Sequence, residues 1–365
     1  MCIRDSRKPW RLALLVLLLA AAALYNWRSE ISLQVARKIA DKRLSSNGLE
    51  GLADGLHVGL CGAGSPFPDE LRAGPCTLVV AGQRLLVFDA GNGASRNIGR
   101  LGFTHGRVDA VFLTHFHSDH IDGLGELMLQ RWVQGGHRAP LPVHGPAGVQ
   151  EVVAGLMQTY RQDRGYRVAH HGDAVVPTSG FGGQARPFAV PSDAAVSVYK
   201  EGDLEVSAFA VDHSPAHPAV GYRINYKGRV VVLSGDTKRS SAVQREAQGA
   251  DLLVHDALST KLVNLMEEAS SQNGRPGLAK VLGDIHDYHA TPEEAAQTAR
   301  DAKVGYLLLN HIVPTLPPLP GLEKVFLGDA PRIYSGPLRV GRDGDFVSLP
   351  AGSREITHST RLRFP

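Results

Sequence analysis

The run Thr114–His120 holds the densest group of side chains that could do chemistry. It contains three imidazoles and one carboxylate, those of His115, His117, Asp119 and His120. It directly follows the apolar stretch 108–113, which is typical of a buried strand. Imidazole and carboxylate are side chains that bind borderline divalent metals such as zinc. A solvated polar loop is the alternative, but four polar groups packed at the end of a buried strand would each need a partner. The run therefore predicts a metal site.

Three further residues extend this site. One run offers at most four ligands, whereas a site for two metal ions needs about seven, including a bridging carboxylate. His213, Asp236 and His311 each follow an apolar stretch that is typical of a strand. Each is a weak signal alone, since an aspartate in a Gly-Asp-Thr turn more often serves as a cap. Together with the run they predict a two-metal centre.

The elements that must position these residues occur in two groups of strands, each followed by helices. The predicted strands are 57–61, 76–81, 85–89 and 110–114, then 204–211, 219–226, 229–234, 252–255 and 306–310. The predicted helices are 119–133, 146–161, 239–248, 259–271 and 292–303. This order indicates an α/β fold of two packed sheets with helices outside. Residues 162–191, rich in glycine and proline, are predicted to be an irregular exposed insertion that could overhang the site.

The N-terminal segment differs from the rest in charge and hydropathy. Residues 1–50 carry five more basic than acidic side chains, whereas the remainder carries two more acidic than basic ones. The apolar run 12–25 behind this basic start indicates a signal anchor or a cleaved signal peptide over 1–27. We expect a juxtamembrane helix and linker over 28–54, a hydrolase domain over 55–350 and a C-terminal tail over 351–365. Export predicts a periplasmic protein, anchored in the inner membrane or secreted.

Cys61 and Cys76 both lie in the first predicted hairpin. In an oxidising compartment they could form a disulfide. Two free, buried thiols is the simpler interpretation, and it is the one we adopt from the sequence. Cys2, in an N-terminal stretch that resembles a sequence-assembly remnant, is given no role.

The motifs resemble those of the metallo-β-lactamase superfamily, and most closely its branch of tRNase Z-type zinc phosphodiesterases and bacterial arylsulfatases. The resemblance covers roughly residues 55–348 and implies a four-layer αβ/βα sandwich with its site at one edge of the sheets. It also implies two zinc ions, with manganese or iron as alternatives. By this resemblance His115, His117 and His213 hold one ion, Asp119, His120 and His311 hold the second, and Asp236 bridges them.

Two more segments resemble the same branch. Residues 254–257 are similar to its His-Glu-Ala-Thr segment, with Asp256 where glutamate is usual. Residues 286–294 are similar to its His-Ser-Thr loop. The resemblance implies that His289 stabilises charge or protonates the leaving oxygen, and that Asp256 orients His289 and keeps it cationic. Asp119, His289 and Asp256 are thus the candidate catalytic residues.

Supporting roles are expected for residues near these motifs. Asp89 stands in a turn that resembles the family's Asp-Ala-Gly turn and is expected to contact a ligand histidine. The segment 62–66 resembles the family's glycine loop, in which glycine allows close backbone approach. His255 is expected to support the site rather than bind metal. Tyr288 could line the pocket or only pack in a loop.

Four other histidines are expected to have no part in metal binding. His57 is expected in the first strand and His217 in a loop. His170 and His171 are expected in a solvated loop, and the alternative is a pair that faces the substrate.

Several departures argue against a tRNA-processing enzyme. The loop 66–72 lacks the Lys-x-Arg-Asn pattern of that branch and carries Asp69 and Glu70, which would repel a phosphate backbone. The insertion 162–191 is short and has few lysines. The near-neutral domain lacks the basic excess of a nucleic-acid binder, and export would separate the site from tRNA.

We therefore expect a dizinc, arylsulfatase-like hydrolase that cleaves phosphodiester or sulfate esters of small molecules by a metal-activated hydroxide. A nucleic-acid partner is not expected, a membrane is contacted through the N-terminal segment, and the oligomeric state stays open. One alternative is a tRNase Z-like 3′-tRNA processing endoribonuclease. A second is an inactive, membrane-tethered binding protein.

Overall fold

The structure, a computed structural model, describes residues 9–46 and 48–362 in two units divided at Asn47. The first unit is one helix, α1 (Pro9–Ser45), long and apolar enough over Trp10–Lys42 to cross a membrane, a property that N-terminal signal sequences share. Residues 1–8, the start of the predicted 1–27 segment, lie outside the described residues. The helix runs without a break through position 27, the boundary predicted between the signal segment and the juxtamembrane helix.

The second unit contains every other element of the described residues. Its strands are β1 (Gly55–Gly62), β2 (Cys76–Ala81), β3 (Arg84–Phe88), β4 (Ala110–Phe112), β5 (Leu141–Gly145), β6 (Gly183–Pro187), β7 (Val196–Glu201), β8 (Leu204–Ala210), β9 (Val220–Tyr226), β10 (Arg229–Leu233), β11 (Leu252–Leu258), β12 (Tyr306–Val313), β13 (Leu338–Val340), β14 (Asp345–Pro350) and β15 (Thr357–Thr360). Its helices are α2 (Ala94–Arg100), α3 (Ser118–Ile121), α4 (Leu124–Gly135), α5 (Val149–Thr159), α6 (Arg161–His171), α7 (Ser241–Glu246), α8 (Thr260–Gln272), α9 (Pro276–Asp284), α10 (Pro292–Asp301), α11 (Leu322–Leu327) and α12 (Ala330–Ile333).

The strands form two sheets. The first has the order β15-β14-β1-β2-β3-β4-β5-β6, and the second has the order β13-β12-β11-β10-β9-β8-β7. In both, an antiparallel half is joined to a parallel half: β4 pairs parallel with β3 and β5, and β11 pairs parallel with β10 and β12. The predicted two-sheet α/β arrangement is confirmed.

The sheets pack on each other because alternate strand residues point to opposite faces. Val79 and Phe112 of the first sheet meet Tyr222 and Val231 of the second in a fully buried layer. The outer face of the first sheet packs on α2, α4 and α5, and that of the second on α7, α10 and α11. Four layers result, and the strand ends at one edge are left to carry polar side chains.

Cys61 and Cys76 form a disulfide, so the expectation of two free thiols was wrong. Cys61 lies near the end of β1 and Cys76 begins β2, and their Cα atoms are 5.0 Å apart. The register explains the closeness: a bulge between Leu60 and Gly62 shifts the pairing so that Gly62 lies opposite Cys76. The sequence does not show this bulge, and therefore gave no reason to prefer a disulfide over two free thiols. The disulfide closes the base of the loop 63–75.

The segment 162–191 is more regular than predicted. It begins with α6, which has no buried residue and contains Gly165, so that no apolar stripe indicates a helix. It ends with β6, which pairs in parallel with β5. Between them Val176 and Phe181 pack on buried Trp132. The predicted tail 351–365 likewise contributes β15, which pairs with β14.

We predict that replacing Cys61 and Cys76 by serine, in a Cys2→Ser background, lowers the free energy of unfolding. The pair closes a loop of 15 residues, for which the loop-closure entropy is about 3 kcal/mol. Urea denaturation of the variant and of its disulfide-containing parent measures the difference. Equal midpoints for the two proteins would show that the pair is not joined.

Candidate metal centre

Four chain segments bring the predicted donors to one edge of the sandwich. The run 115–120 follows β4 and enters α3, His213 follows β8, Asp236 follows β10, and His311 lies within β12. All seven predicted donors meet there, in overlapping groups whose ligand atoms lie within 4.8 Å of one another. Six of the seven are buried, and only His117 is exposed.

The first group is three imidazoles, those of His115, His117 and His213. His117 Nδ1 lies 3.0 Å from His115 Nε2 and 3.2 Å from His213 Nε2. The orientation of the His213 ring is fixed by the backbone, because its Nδ1 donates to the backbone oxygen of Tyr288 at 2.9 Å. Burial, followed by the neighbouring His120, holds the pKa of His115 well below its usual value. Burial also lowers the pKa of His213, so both rings favour the neutral form that binds metals.

The second group is Asp119, His120 and His311. His311 Nε2 lies 3.2 Å from Asp119 Oδ2. His120 is oriented by Asp89, whose Oδ2 accepts from His120 Nδ1 at 2.9 Å, as expected from the sequence. Asp89 also accepts from the backbone N–H and the hydroxyl of Thr114, both at 2.8 Å. It therefore fixes the start of the histidine run and one of its rings together.

A β-bulge directs His311 into the site. Asp256 pairs with Asn310 and Ala257 pairs with Ile312, so His311 is the unpaired residue between them. Its φ is 46°, a left-handed conformation that is rare for a residue with a side chain. Bulges of this kind re-aim a side chain out of the regular alternation of a strand.

Asp236 lies at the centre of the two groups. Its Oδ2 is 3.1 Å from His311 Nε2 and 3.2 Å from His120 Nε2. The same oxygen is 3.9 Å from His115 Nε2 and 3.8 Å from His213 Nε2. Burial opposes ionisation of Asp236, but His311 and His120 outweigh it and hold the pKa of the carboxyl well below its usual value. An ionised carboxylate thus faces imidazoles of both groups.

The donor set fits metal ions better than hydrogen bonding alone. Three ring nitrogens converge at His117, and a neutral imidazole has only one N–H to share. His213 already uses Nδ1 on a carbonyl, so its Nε2 presents a lone pair to the cluster. A cation that accepts lone pairs satisfies all of these atoms at once.

Beside this cluster stands a buried carboxylate–imidazole pair. Asp256 Oδ2 accepts from His289 Nδ1 at 3.0 Å. His255 Nδ1 donates to the backbone oxygen of Asp256 at 2.9 Å and lies 3.0 Å from Asp256 Oδ1. Burial opposes ionisation of Asp256, but hydrogen bonds from His255 and His289 lower the pKa of the carboxyl. His289 also lies within ligand distance of His213 and Asp236. Two residues after His289, Thr291 forms a capping box that fixes the start of α10.

A cleft of about 210 Å³ opens at the cluster. It is lined by polar residues of the site, including Asp119 and His289, and by an apolar wall consisting of Pro66, Phe67, Ile285, Tyr288 and Val313. Tyr288, left open between pocket and packing by the sequence, lines this cleft. Phe67 was missed, because a lone phenylalanine in a turn gives no signal of its own.

Asp343 is a second residue that the sequence did not indicate. Its carboxylate accepts from the backbone N–H of Ala63 at 3.0 Å and of Ala73 at 2.8 Å, so it joins the two ends of the loop 63–75. The loop in turn meets β12 where the backbone N–H of Ile312 donates to Ala63 O. Gly62 must be glycine, since an added Cβ would lie 1.8 Å from Gly74 O.

Four other histidines singled out by the sequence are not among these groups of possible ligands. His57 is buried in β1, where Nε2 donates to Ala53 O and the ring stacks on Phe346. His170 and His171 end α6 on the exposed surface, and His217 is exposed beyond His213. The prediction of a strand or loop position holds for His57 and His217. His170 and His171 lie at the end of a helix and not in the predicted loop.

The fold and the donor set are those of a hydrolase with the metallo-β-lactamase fold. A family model described as "Beta-lactamase superfamily domain" matches residues 84–312, more than half of the chain. Human tRNase Z, short form, aligns with a TM-score of 0.58 at 19% identity, over 80% of this chain and 99% of its own. YhfI of Bacillus subtilis, a metallo-β-lactamase fold protein, aligns with a TM-score of 0.55 at 21% identity, over 80% and 99%. These likenesses show the fold.

Relatives with higher sequence identity identify the branch of this superfamily to which the chain belongs. Ribonuclease Z of Mycobacterium bovis (strain BCG / Pasteur 1173P2) is 36% identical over 290 residues, which are 79% of this chain and 96% of the relative. Ribonuclease Z of Mycolicibacterium gilvum is 36% identical over 299 residues, which are 81% and 97%. The chain belongs to the ribonuclease Z-like branch of the β-lactamase superfamily. The family suggests a metal, typically zinc, and the clusters described above could bind one.

The expectation of an arylsulfatase-like hydrolase of small esters was wrong, as was the exclusion of nucleic acid. Relatives at 35–36% identity over most of the chain are named ribonuclease Z, which supports the alternative given with that expectation. The structure shows one physical reason for the error. Asp69, counted as repelling phosphate, accepts from the backbone N–H groups of Leu71 and Arg72 and lies 3.6 Å from the Arg72 guanidinium. Its charge is therefore compensated within its own loop.

We predict that Asp236→Ala removes both the bound metal and the hydrolytic activity, because it deletes the carboxylate that faces both groups. Metal content after reconstitution with zinc, measured by mass spectrometry, and activity are compared with those of Asp203→Ala. Asp203 is exposed in the turn between β7 and β8 and serves as the matched control. A variant that retained full metal would rule out this central position.

Proposed function

We propose that this chain is an endoribonuclease of the ribonuclease Z type, which cleaves a phosphodiester bond at the 3′ side of precursor tRNA with two zinc ions. The observation that carries the proposal is the convergence of two three-residue donor groups on Asp236, in the cleft that also holds His289. The curated relatives support the choice of substrate. Their names state a ribonuclease, and the chain covers 96% or more of their length.

Each donor has an assigned place in this proposal. His115, His117 and His213 would hold one ion, Asp119, His120 and His311 would hold the other, and Asp236 faces both groups. Bound ions supply Lewis-acid stabilisation of charge on the phosphate and lower the pKa of a bound water molecule. The chain itself supplies orientation: Asp89 turns His120 and the Tyr288 carbonyl turns His213 toward the centre.

The Asp256–His289 pair supplies the proton that the leaving group needs. A water molecule that has released one proton to the solvent bonds through its oxygen to phosphorus. The bond from phosphorus to the ribose oxygen then breaks, and that oxygen needs a proton. His289 donates it. Asp256, anionic and buried, keeps Nδ1 of His289 occupied at 3.0 Å, so that the other ring nitrogen is available to the leaving oxygen. Asp119 contributes as a member of the second donor group, in which its Oδ2 lies 3.2 Å from His311 Nε2.

We predict that the zinc-loaded protein cuts a precursor tRNA once, at the 3′ side, and releases the trailer as a separate RNA. Gel electrophoresis of a labelled transcript measures the cut, and Asp236→Ala is the inactive control. An intact precursor in the presence of protein with two zinc ions per chain would overturn the proposed substrate.

We predict that His289→Ala retains its metal and loses rate mainly for poor leaving groups. Proton donation contributes about 10²–10⁴-fold for a ribose oxygen, and much less for p-nitrophenolate, which leaves without a proton. The ratio of the rates on RNA and on bis-p-nitrophenyl phosphate is the measurement, and Asp256→Asn should shift it in the same direction. An equal loss on both substrates would argue against proton donation.

We also propose that α1 anchors the protein in a membrane. This helix is exposed over its described length, and its composition permits a span. Membrane fractionation tests this: we expect the protein to sediment with membranes. A protein that stays in the supernatant would contradict the anchor. The cleavage assay in vitro does not depend on the outcome.

A further inference from the structure

The apolar wall of the cleft is not needed to hold a metal ion or a phosphate. Such groups need charged and polar partners, yet five apolar residues line the same cleft as the donors. Its free volume is far above the roughly 10–15 Å³ that a single water molecule requires. The cleft therefore has room for a larger, partly apolar group next to the phosphate site.

The wall is built on a hydrophobic cluster of its own. Buried Leu258, Val263 and Leu282 form this cluster under α8 and α9, and Phe67 and Tyr288 pack against it from the cleft side. Both aromatic residues are only half-buried. The cluster thus fixes two rings whose remaining surface is open to the cleft.

Tyr288 is placed directly beside the reacting groups. Its ring centroid lies 4.9 Å from that of His289 and 5.0 Å from that of His213. Its backbone oxygen accepts from His213 Nδ1, which fixes its position relative to the first donor group. A group joined to the phosphate on the side of His289 therefore meets the Tyr288 ring.

We propose that Tyr288, with Phe67 beside it in the apolar wall, stacks the nucleobase of the nucleotide whose ribose oxygen leaves. The inference rests on the proposed function, because it is His289 that defines the leaving side. Stacking on an aromatic ring suits any base, since every base has a π face. The wall thus makes the site select nucleotide phosphodiesters over small diesters without reading sequence.

Two matched RNA substrates test this proposal. They are identical except that the nucleotide on the leaving side carries a base in one and is abasic in the other. In the wild type, loss of the base should raise KM by roughly 5- to 150-fold, the range expected for one stacked base. Tyr288→Ala should show the raised KM on both substrates, so that the base no longer matters, while Tyr288→Phe should behave as the wild type.

Controls separate a stacking role from a structural one. Tyr166→Ala, at a tyrosine that is 68% exposed on α6, should leave the ratio between the substrates unchanged. Tyr288→Leu preserves the apolar packing if the alanine variant does not fold, and metal content is measured for each variant. If the base-containing RNA is cut but the abasic penalty is the same in Tyr288→Ala and the wild type, the stacking proposal fails and the ribonuclease proposal stands. If neither RNA is cut by the metal-loaded wild type, the proposed function fails first.

Discussion

The position of the Asp236 carboxylate is the constraint on which the rest of the structure depends. It is buried among four imidazoles, two from each donor group, within 3.1–3.9 Å of its Oδ2. A charge so far from water is tolerated only when opposite charge or metal compensates it. The three segments that supply these imidazoles follow or lie in strands of both sheets, so the site exists only when the sandwich is assembled.

The surrounding structure serves to hold these atoms still. Asp89 and Thr114 fix the run after β4, and the bulge in β12 turns His311 inward. On the other side, the disulfide and Asp343 tie both ends of the loop that carries Phe67. Apart from the bulge, each support is a polar or covalent contact between residues distant in sequence, which couples the site to the fold.

Much of the fold and the composition of the site could be predicted from the sequence, because local signals carry them. The donors follow apolar strands, and strand ends gather at one edge of a sheet, so their convergence follows from the pattern. The bulge that joins Cys61 to Cys76 and the contacts of Asp343 could not be predicted, since they depend on register and on partners up to 280 residues away. Helix α6 was missed because nothing on it is buried.

The prediction of the substrate from the sequence was wrong for a different reason. Counting charges along the chain treats every carboxylate as free to repel phosphate, whereas the Asp69 carboxylate accepts from two backbone N–H groups and pairs with Arg72. The overall charge also includes residues far from the cleft, where the chemistry depends on a handful of atoms. Substrate preference is therefore a property of the folded cleft, with its donors and its apolar wall.

The most direct test of the central claim is a crystal structure of the zinc-loaded protein with anomalous diffraction recorded at the zinc edge. We expect two peaks, one among His115, His117 and His213 and one among Asp119, His120 and His311, with Asp236 in contact with both. A single peak, or two peaks of which Asp236 contacts only one, would contradict the account.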